Sequence, residues 1–287
     1  MKSDRRVFVT LTVLVLAVVA TARAHDMFLK LESFYLTPNS TAVVSLINGT
    51  FEESENTITR DRMVDVSIVS PDGVVHPPTS AWSDVAVHHW SADSVDTAQL
   101  TFETGAAGTY VIGVSTSQTV FTLTAQDFND YLVHDGVLDV LEDRESTGKM
   151  GDDATERYSK HVKALVQVGD ARSAEFSHSL GYPAEFVPLQ NPYELGVGDT
   201  LEVRFVRAGQ PVANQLVYAS HEGYHGHDDE GEHNLAVTTR TNRQGVASIP
   251  LSEAGRWFIR TIHMVEVTSD PEVDYESNWA TLTFEIR

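Results

Sequence analysis

The chain of 287 residues carries 41 acidic and 20 basic side chains, which gives a formal net charge of −21 at neutral pH. That charge opposes binding to nucleic acid or to an anionic lipid surface. The sequence contains no cysteine, which excludes disulfides, thiolate metal ligands and cysteine nucleophiles. The length is sufficient to hold a fold by core packing alone, and it favours two domains over one.

Residues 1–24 have the three-part pattern of a cleavable signal peptide. A basic start precedes an apolar run over 7–20, and residues 22–24 read Ala-Arg-Ala, a small-x-small pattern that signal peptidase recognises. A membrane-spanning helix needs roughly 20 apolar residues, and this run is shorter, so cleavage is expected rather than anchoring. We therefore expect a periplasmic protein that starts at His25 and does not insert into the membrane.

Residues 25–126 consist mainly of short runs in which apolar and polar residues alternate. The run 64–69, for example, reads Val-Asp-Val-Ser-Ile-Val and is followed by a Pro-Asp-Gly turn at 71–73. Alternation with a period of two, β-branched residues and frequent turn signals are typical of antiparallel sandwiches. The sequence predicts an N-terminal β-sandwich domain over 25–126.

The pattern changes over 127–160, which we assign to a helical and linker segment. The apolar positions of residues 137–144 fit a short helix. Residues 145–156 show no apolar periodicity and include two glycines, so they are predicted to form a linker.

A second set of alternating runs fills 161–287, and glycine-containing turns such as 242–245 separate its members. This pattern predicts a C-terminal β-sandwich domain over 161–287. The predicted fold class is therefore all-β, with two immunoglobulin-like or prealbumin-like β-sandwich domains and a short helical connecting segment.

A histidine at the predicted mature N-terminus, His25, offers two metal donors on one residue. Its free α-amine and its imidazole together chelate one ion, and a second imidazole would complete a three-nitrogen site. Such a donor set suits Cu(II), and Ni(II) or Zn(II) to a lesser extent. The amine has a reference pKa of about 7.7–8.0, so the metal must displace a proton near neutral pH. In the alternative interpretation, His25 is simply the residue that cleavage leaves first.

The candidate partner for His25 is His263, which lies late in an alternating run that starts at Trp257. On a period of two, His263 shares a strand face with Thr261. The alternative is a half-buried structural histidine that is hydrogen-bonded within the sandwich.

A second group of candidate ligands lies in the loop 221–233, which holds four histidines and five carboxylates: His221, His225, His227 and His233 with Glu222, Asp228, Asp229, Glu230 and Glu232. Flexible loops of this composition bind Ni, Cu or Zn with modest affinity and little selectivity, because the ligands are not held in place. The alternative is a solvated acidic hairpin loop.

Motifs of common enzyme classes are missing from the sequence. It contains no Gly-x-Ser-x-Gly elbow, no phosphate-binding glycine-rich loop and no His-Glu-x-x-His helix. We therefore expect that the protein is not an enzyme.

Six blocks in the chain carry a resemblance to a known family. They read AHDMFL at 24–29, DYL at 130–132, ERYSKHVKAL at 156–165, GYPAEFVPL at 181–189, GRWFIRTIHM at 255–264 and WATLTF at 279–284. Through these blocks the chain resembles the NikM-like family of periplasmic proteins, over nearly the whole mature length. The resemblance implies a role in nickel uptake and includes His25 at the same junction and the block that ends at His263. It does not include the histidine-rich loop, and it would place an Asp in the turn before Gly245, a turn that reads Asn-Arg-Gln-Gly over 242–245 in this chain.

These observations predict a periplasmic transition-metal-binding protein that captures or delivers nickel or copper, and possibly zinc. Its expected partner is a metal transporter in the inner or outer membrane. One alternative is a non-catalytic immunoglobulin-like interaction module, in which the histidine loop is incidental. Another is a copper-dependent oxidoreductase that uses the N-terminal histidine.

Overall fold

The computed structural model describes residues 25–88, 94–224, 226–227 and 233–287. The predicted signal peptide, residues 1–24, lies outside the described residues. In the first half of the chain, the strands are β1 (Met27–Lys30), β2 (Tyr35–Leu36), β3 (Thr41–Asn48), β4 (Met63–Ser70), β5 (Gly73–Val75), β6 (Trp82–His88), β7 (Ser94–Glu103), β8 (Gly108–Thr116) and β9 (Thr119–Leu123).

Two helices follow β9, namely α1 (Ala125–His134) and α2 (Leu138–Ser146). The remaining strands are β10 (Ala154–Val168), β11 (Ala184–Pro188), β12 (Thr200–Arg207), β13 (Gln210–Pro211), β14 (Leu216–His221), β15 (Gly226–His227), β16 (His233–Asn234), β17 (Val237–Arg240), β18 (Val246–Pro250), β19 (Gly255–Glu266) and β20 (Tyr275–Ile286).

One large central sheet runs through both halves of the chain, in the order β17-β14-β19-β20-β10-β8-β4-β5, and β2 and β9 also pair with β10. Strands β10 and β20 pair in parallel, while β19 and β20 pair antiparallel over their full length. A first outer sheet has the order β1-β3-β7-β6, and a second outer sheet contains β11, β12, β13 and β18. The two halves of the chain therefore share one sheet.

The two outer sheets cover opposite faces of this central sheet, as two lysines of β10 show. Lys160 reaches Asn48 of the first outer sheet, with Nζ 3.0 Å from Oδ1. Lys163 reaches Glu185 of the second outer sheet, with Nζ 2.9 Å from Oε2. Side chains alternate between faces along a strand, so residues three positions apart point to opposite sides.

Burial follows from this layered arrangement. All nine residues of β8 are buried, because β8 lies inside the central sheet with both faces covered. The main apolar cluster combines residues from both halves, such as Val44 and Leu100 with Leu165 and Leu282. Covering both faces of one sheet thus produces a continuous core.

Helix α1 packs on the face of the central sheet that carries Trp279. Its N-cap is Thr124, whose side-chain oxygen accepts a hydrogen bond from the backbone N–H of Asp127 at 3.2 Å. Its buried face presents Phe128, Tyr131 and Leu132, which pack in a second apolar cluster with Trp279 of β20. The spacing of these three residues places them on one side of the helix.

The predicted all-β sandwich fold with a short helical connecting segment is confirmed, and α2 confirms the helix expected over 137–144. Strand β10 begins at Ala154, inside the segment predicted as helix and linker, and it crosses the boundary drawn between residues 160 and 161. The apolar cluster and the central sheet both extend across that boundary. The division into two separate domains stays a prediction.

Candidate functional site

His25 lies two residues before the start of β1 and is held in a defined position. Its side chain is 15% exposed, and its Nδ1 lies 3.2 Å from Oε2 of Glu55. Its backbone carbonyl accepts a hydrogen bond from Nζ of Lys160. The residue is therefore fixed through both its ring and its backbone.

The tight turn after β3 brings Glu55 to His25. The backbone N–H of Gly49 donates to the carbonyl of Asp26 at 2.9 Å, and that of Glu55 donates to the carbonyl of Asn48 at 3.0 Å. A Cβ atom at Gly49 would lie 2.3 Å from the carbonyl oxygen of Glu53, which is too close for any other residue. A glycine is therefore needed where the chain folds back on itself.

Arg260 of β19 connects the N-terminal segment to the end of α1. Its Nε lies 3.2 Å from Oδ2 of Asp26, and its Nη1 donates to the carbonyl of Asp135 at 3.0 Å. Its guanidinium also stacks over the ring of Tyr218, 4.8 Å from the centroid. Nδ1 of His134, the last residue of α1, lies 3.4 Å from Oδ1 of Asp135.

Lys160 borders the site around His25 on its buried side. It is 5% exposed, and its Nζ lies 5.0 Å from the ring centroid of Trp279. Burial lowers the pKa of Lys160 to about 8, although the charges of Asp26 and Asp135 oppose this. The ammonium that binds the carbonyl of His25 is therefore close to its titration range at neutral pH.

The charges around His25 influence its own protonation. Burial lowers the pKa of the His25 imidazole, and the carboxylate of Glu55 partly opposes this effect. The charges of Lys160 and His134 lower the same pKa further, while that of Asp135 raises it. The imidazole is therefore mainly neutral at neutral pH, which is the form that binds metals.

The buried acid Glu156 lies on the interior side of this site. Oε1 of Glu156 accepts hydrogen bonds from the Tyr131 hydroxyl at 3.3 Å and from the Ser277 hydroxyl. Its Oε2 has no hydrogen-bond partner within the described parts of the chain. Burial raises the pKa of Glu156 to about 7, while its two hydrogen bonds oppose this.

His263 lies on the opposite face of the central sheet from His25. On β19, Arg260 faces Asp26, so His263, three residues later, points to the other side. There its ring lies 6.1 Å from that of Phe205 in the second outer sheet. Burial, together with the charge of Arg207, lowers the pKa of His263. The structure does not bring the two predicted partners together.

His221 packs at the base of the histidine-rich loop. Its ring centroid lies 5.0 Å from that of Trp257 and 5.4 Å from that of Tyr224. The neighbouring Glu222 binds Arg256 of β19 and Lys30 of β1, with Nζ of Lys30 2.7 Å from its Oε1. The base of the loop is therefore fixed to two strands.

The other loop histidines are described only in part. His225 lies outside the described residues. His227 and His233 are cross-strand partners in the short antiparallel pair β15–β16, of which the structure describes the backbone. Metal binding by the loop stays a prediction.

No three His, Asp or Glu side chains in the described ranges converge as a ready-made metal cluster. A metal site at His25 would therefore need the α-amine as one of its donors. The site residues predicted from the sequence do not include Glu55, Lys160, Arg260 or the His134-Asp135 pair. Lys160 and Arg260 are charged residues inside largely apolar strand blocks, and this position was the only feature of the sequence that could have indicated a role for them.

An open cleft of about 320 Å³ lies elsewhere, between β4 of the central sheet and the start of β6 in the first outer sheet. Its lining includes Asp65, His76 and Trp82. The carboxylate of Asp65 is already engaged by the hydroxyls of Ser67 and Tyr182, at 2.7 and 2.8 Å. The cleft is lined by residues other than those around His25.

Fold and site together define an all-β sandwich protein with a charged site where the N-terminal segment meets α1. A family described as a domain of unknown function, DUF4198, matches residues 22–265, and the chain belongs to this family. The family description names neither an activity nor nickel. No curated protein sequence matches the chain.

Several solved structures show weak similarity. The D0-D1 domain of intimin is 12% identical, with 90% of this chain and 97% of that chain covered and a TM-score of 0.22. The Escherichia coli adhesin FdeC is also 12% identical, with 90% and 64% covered and a TM-score of 0.20. Scores of this size do not establish a common fold, so the fold assignment depends on the strand pairing described above. No helix in the described ranges is long and apolar enough to cross a membrane.

Proposed function

We propose that the protein is a periplasmic transition-metal-binding protein that captures copper or nickel at its mature N-terminus and delivers it to a membrane transporter. The observation that carries this proposal is the position of His25. Its imidazole is held at 15% exposure with Nδ1 3.2 Å from the carboxylate of Glu55. A cation placed between these two groups would meet one nitrogen and one oxygen donor.

Removal of the predicted signal peptide would add the α-amine of His25 as a third donor. Nδ1 is the ring nitrogen closer to the residue's own backbone, so Nδ1 and the amine can close a small chelate ring. Donor sets rich in nitrogen bind Cu(II) more tightly than Ni(II) or Zn(II). We therefore expect copper to bind most tightly, with nickel as the metal that the sequence resemblance favours.

Two further features suit capture and delivery, which require no turnover. The net charge of −21 raises the local concentration of cations around the protein. The loop 221–233, with His221 fixed at its base, would add weak ligands that collect metal from the surroundings. A transporter in the inner or outer membrane would then receive the ion.

The test is a metal titration of the mature protein. The chain is expressed with its own signal, its first residue is confirmed by intact mass, and Cu(II), Ni(II) and Zn(II) are titrated separately. The matched control carries one extra residue before His25, which removes the chelating amine and leaves every side chain in place. We expect one tight equivalent in the mature form and its loss in the extended form.

Two outcomes contradict the proposal. Weak binding of several equivalents, unchanged by the extension, would mean that only the loop collects metal. An intact mass that shows a different first residue would remove the chelate altogether. In either case an immunoglobulin-like docking module becomes the better interpretation.

A further inference from the structure

The guanidinium of Arg260 contacts two chain segments, and each of them reads His-Asp. Arg260 contacts the carboxylate of Asp26 at 3.2 Å and the backbone carbonyl of Asp135 at 3.0 Å. His25 directly precedes the first of these residues, and His134 directly precedes the second. Arg260 is itself 8% exposed, so the junction that places the two histidines is buried.

The segment that carries His134 is rigid. His134 ends α1, which is fixed at its start by the Thr124 cap and along its length by the fully buried Phe128 and Leu132. The carbonyl end of a helix carries partial negative charge and favours a nearby cation. A metal at this place would therefore gain from the helix as well as from its ligands.

The ring of His134 has a carboxylate beside it. Oδ1 of Asp135 lies 3.4 Å from Nδ1 of His134, and Asp135 is 7% exposed. A carboxylate at one ring nitrogen fixes the tautomer and orientation of a histidine that binds metal through the other nitrogen. The charge of His134 also lowers the pKa values of His25 and Asp26.

We propose that His134 supplies the second imidazole of the metal site at His25, through its Nε2. The nitrogen donors are then the α-amine and Nδ1 of His25 together with Nε2 of His134, and the carboxylate of Glu55 beside Nδ1 is the oxygen donor. This inference rests on the proposed function. Glu55 adjoins the ring of His25 and Asp135 adjoins that of His134, yet no three such side chains converge in the described residues. The exposed ring of His134 therefore has to turn toward His25 for both rings to bind one ion.

His263 and His221 fit this role less well. His263 lies on the opposite face of the central sheet. His221 adjoins Glu222, which binds Lys30 at the far end of β1. With about 3.3 Å of rise per residue, Lys30 lies roughly 16 Å along the chain from His25. His134 is the histidine that the fold places beside the N-terminal segment.

The test uses the mature, processed protein and the variant His134→Gln, with Cu(II) as the probe. The side chain of His134 is 63% exposed, so the substitution should leave the fold intact, which the thermal unfolding midpoint verifies. We expect a Kd for Cu(II) at least tenfold higher and one fewer nitrogen in the Cu(II) EPR hyperfine pattern. Added imidazole should restore the missing nitrogen. The control His178→Gln changes an exposed histidine that contacts Lys163 only through its carbonyl, and it should match the wild type.

The outcomes separate this inference from the proposed function. A wild-type Kd and an unchanged EPR pattern in His134→Gln, while the N-terminally extended form loses the site, would overturn the role of His134 alone. Equal binding by the mature and extended wild-type forms would overturn the proposed function and this inference together. A folded His134→Gln protein in which imidazole restores no nitrogen would also contradict a ligand role.

Discussion

Lys163 and Glu185 form an ion pair in the interior, with Nζ 2.9 Å from Oε2 and both side chains 1% exposed. The pair joins β10 of the central sheet to β11 of the second outer sheet. Burial lowers the pKa of Lys163. Burial alone would raise the pKa of Glu185, but the charge of Lys163 and several hydrogen bonds hold that pKa below its usual value. The charge on each group therefore depends on the other.

The first prediction concerns the loss of one partner of this pair. Lys163→Met should lower the free energy of unfolding by about 3–5 kcal/mol, because it leaves the carboxylate of Glu185 buried without a counter-charge. Urea unfolding measures the change. The exposed pair Arg240–Asp139 provides a control, since Arg240→Ala should change stability by about 1 kcal/mol or less. Equal losses of unfolding free energy in Lys163→Met and Arg240→Ala would show that burial does not make the Lys163–Glu185 pair more important for stability.

The second prediction is a pH dependence that comes from Glu156. Its pKa is about 7 in the folded protein and lower when the chain unfolds, so the folded state binds more protons between about pH 4.5 and 7. Its contribution to stability is therefore largest below pH 4.5 and is lost as the pH rises to about 7. Across that window the change is on the order of 3 kcal/mol.

The variant Glu156→Gln isolates this contribution, because the amide resembles the protonated acid and does not titrate. The groups that act on Glu156 are Tyr131, Ser277, Asp135 and Lys160, and all remain in the variant. Unfolding curves at several pH values should show that the stability of the wild type falls relative to the variant between pH 4.5 and 7. A constant difference across this range would contradict the elevated pKa.

The third prediction tests the turn that positions Glu55. Gly49→Ala would place a Cβ atom 2.3 Å from the carbonyl of Glu53 and 2.7 Å from the backbone nitrogen of Glu55, so the turn must shift. We expect a loss of about 1–3 kcal/mol in stability and a weaker Cu(II) site at His25. The control Gly151→Ala has open space around the new atom and should leave both quantities unchanged. If Gly49→Ala bound Cu(II) with unaltered affinity, the turn would not be needed to form the site at His25.

The fourth prediction tests whether the packing of α1 supports the site. Phe128 is fully buried, with its ring 5.1 Å from that of Tyr275 and 5.6 Å from that of Tyr131. Phe128→Ala should cost about 3–5 kcal/mol in unfolding free energy. It should also weaken Cu(II) binding, because α1 carries His134. Leu138→Ala removes a side chain that is 46% exposed and should have little effect on either measurement.

Local patterns in the sequence predicted much of the secondary structure. Alternation with a period of two predicted the strand at 64–69, which the structure confirms as part of β4 (Met63–Ser70). Apolar spacing predicted the helix that forms α2. These predictions hold because strand and helix periodicity depend on neighbouring residues alone. The sequence also indicated His25 as a candidate ligand, a role that stays a proposal.

The sequence by itself thus determined the all-β class and the approximate positions of its strands. Only the tertiary structure decided that β10 pairs in parallel with β20, about 120 residues later in the chain, with Glu156 opposite Tyr275. It also decided that His263 and Arg260 point to opposite faces, which separates His263 from His25 and places His134 near the N-terminal segment. Alternation shows which residues share a face of a strand, but the identity of the covering layer depends on packing between distant segments.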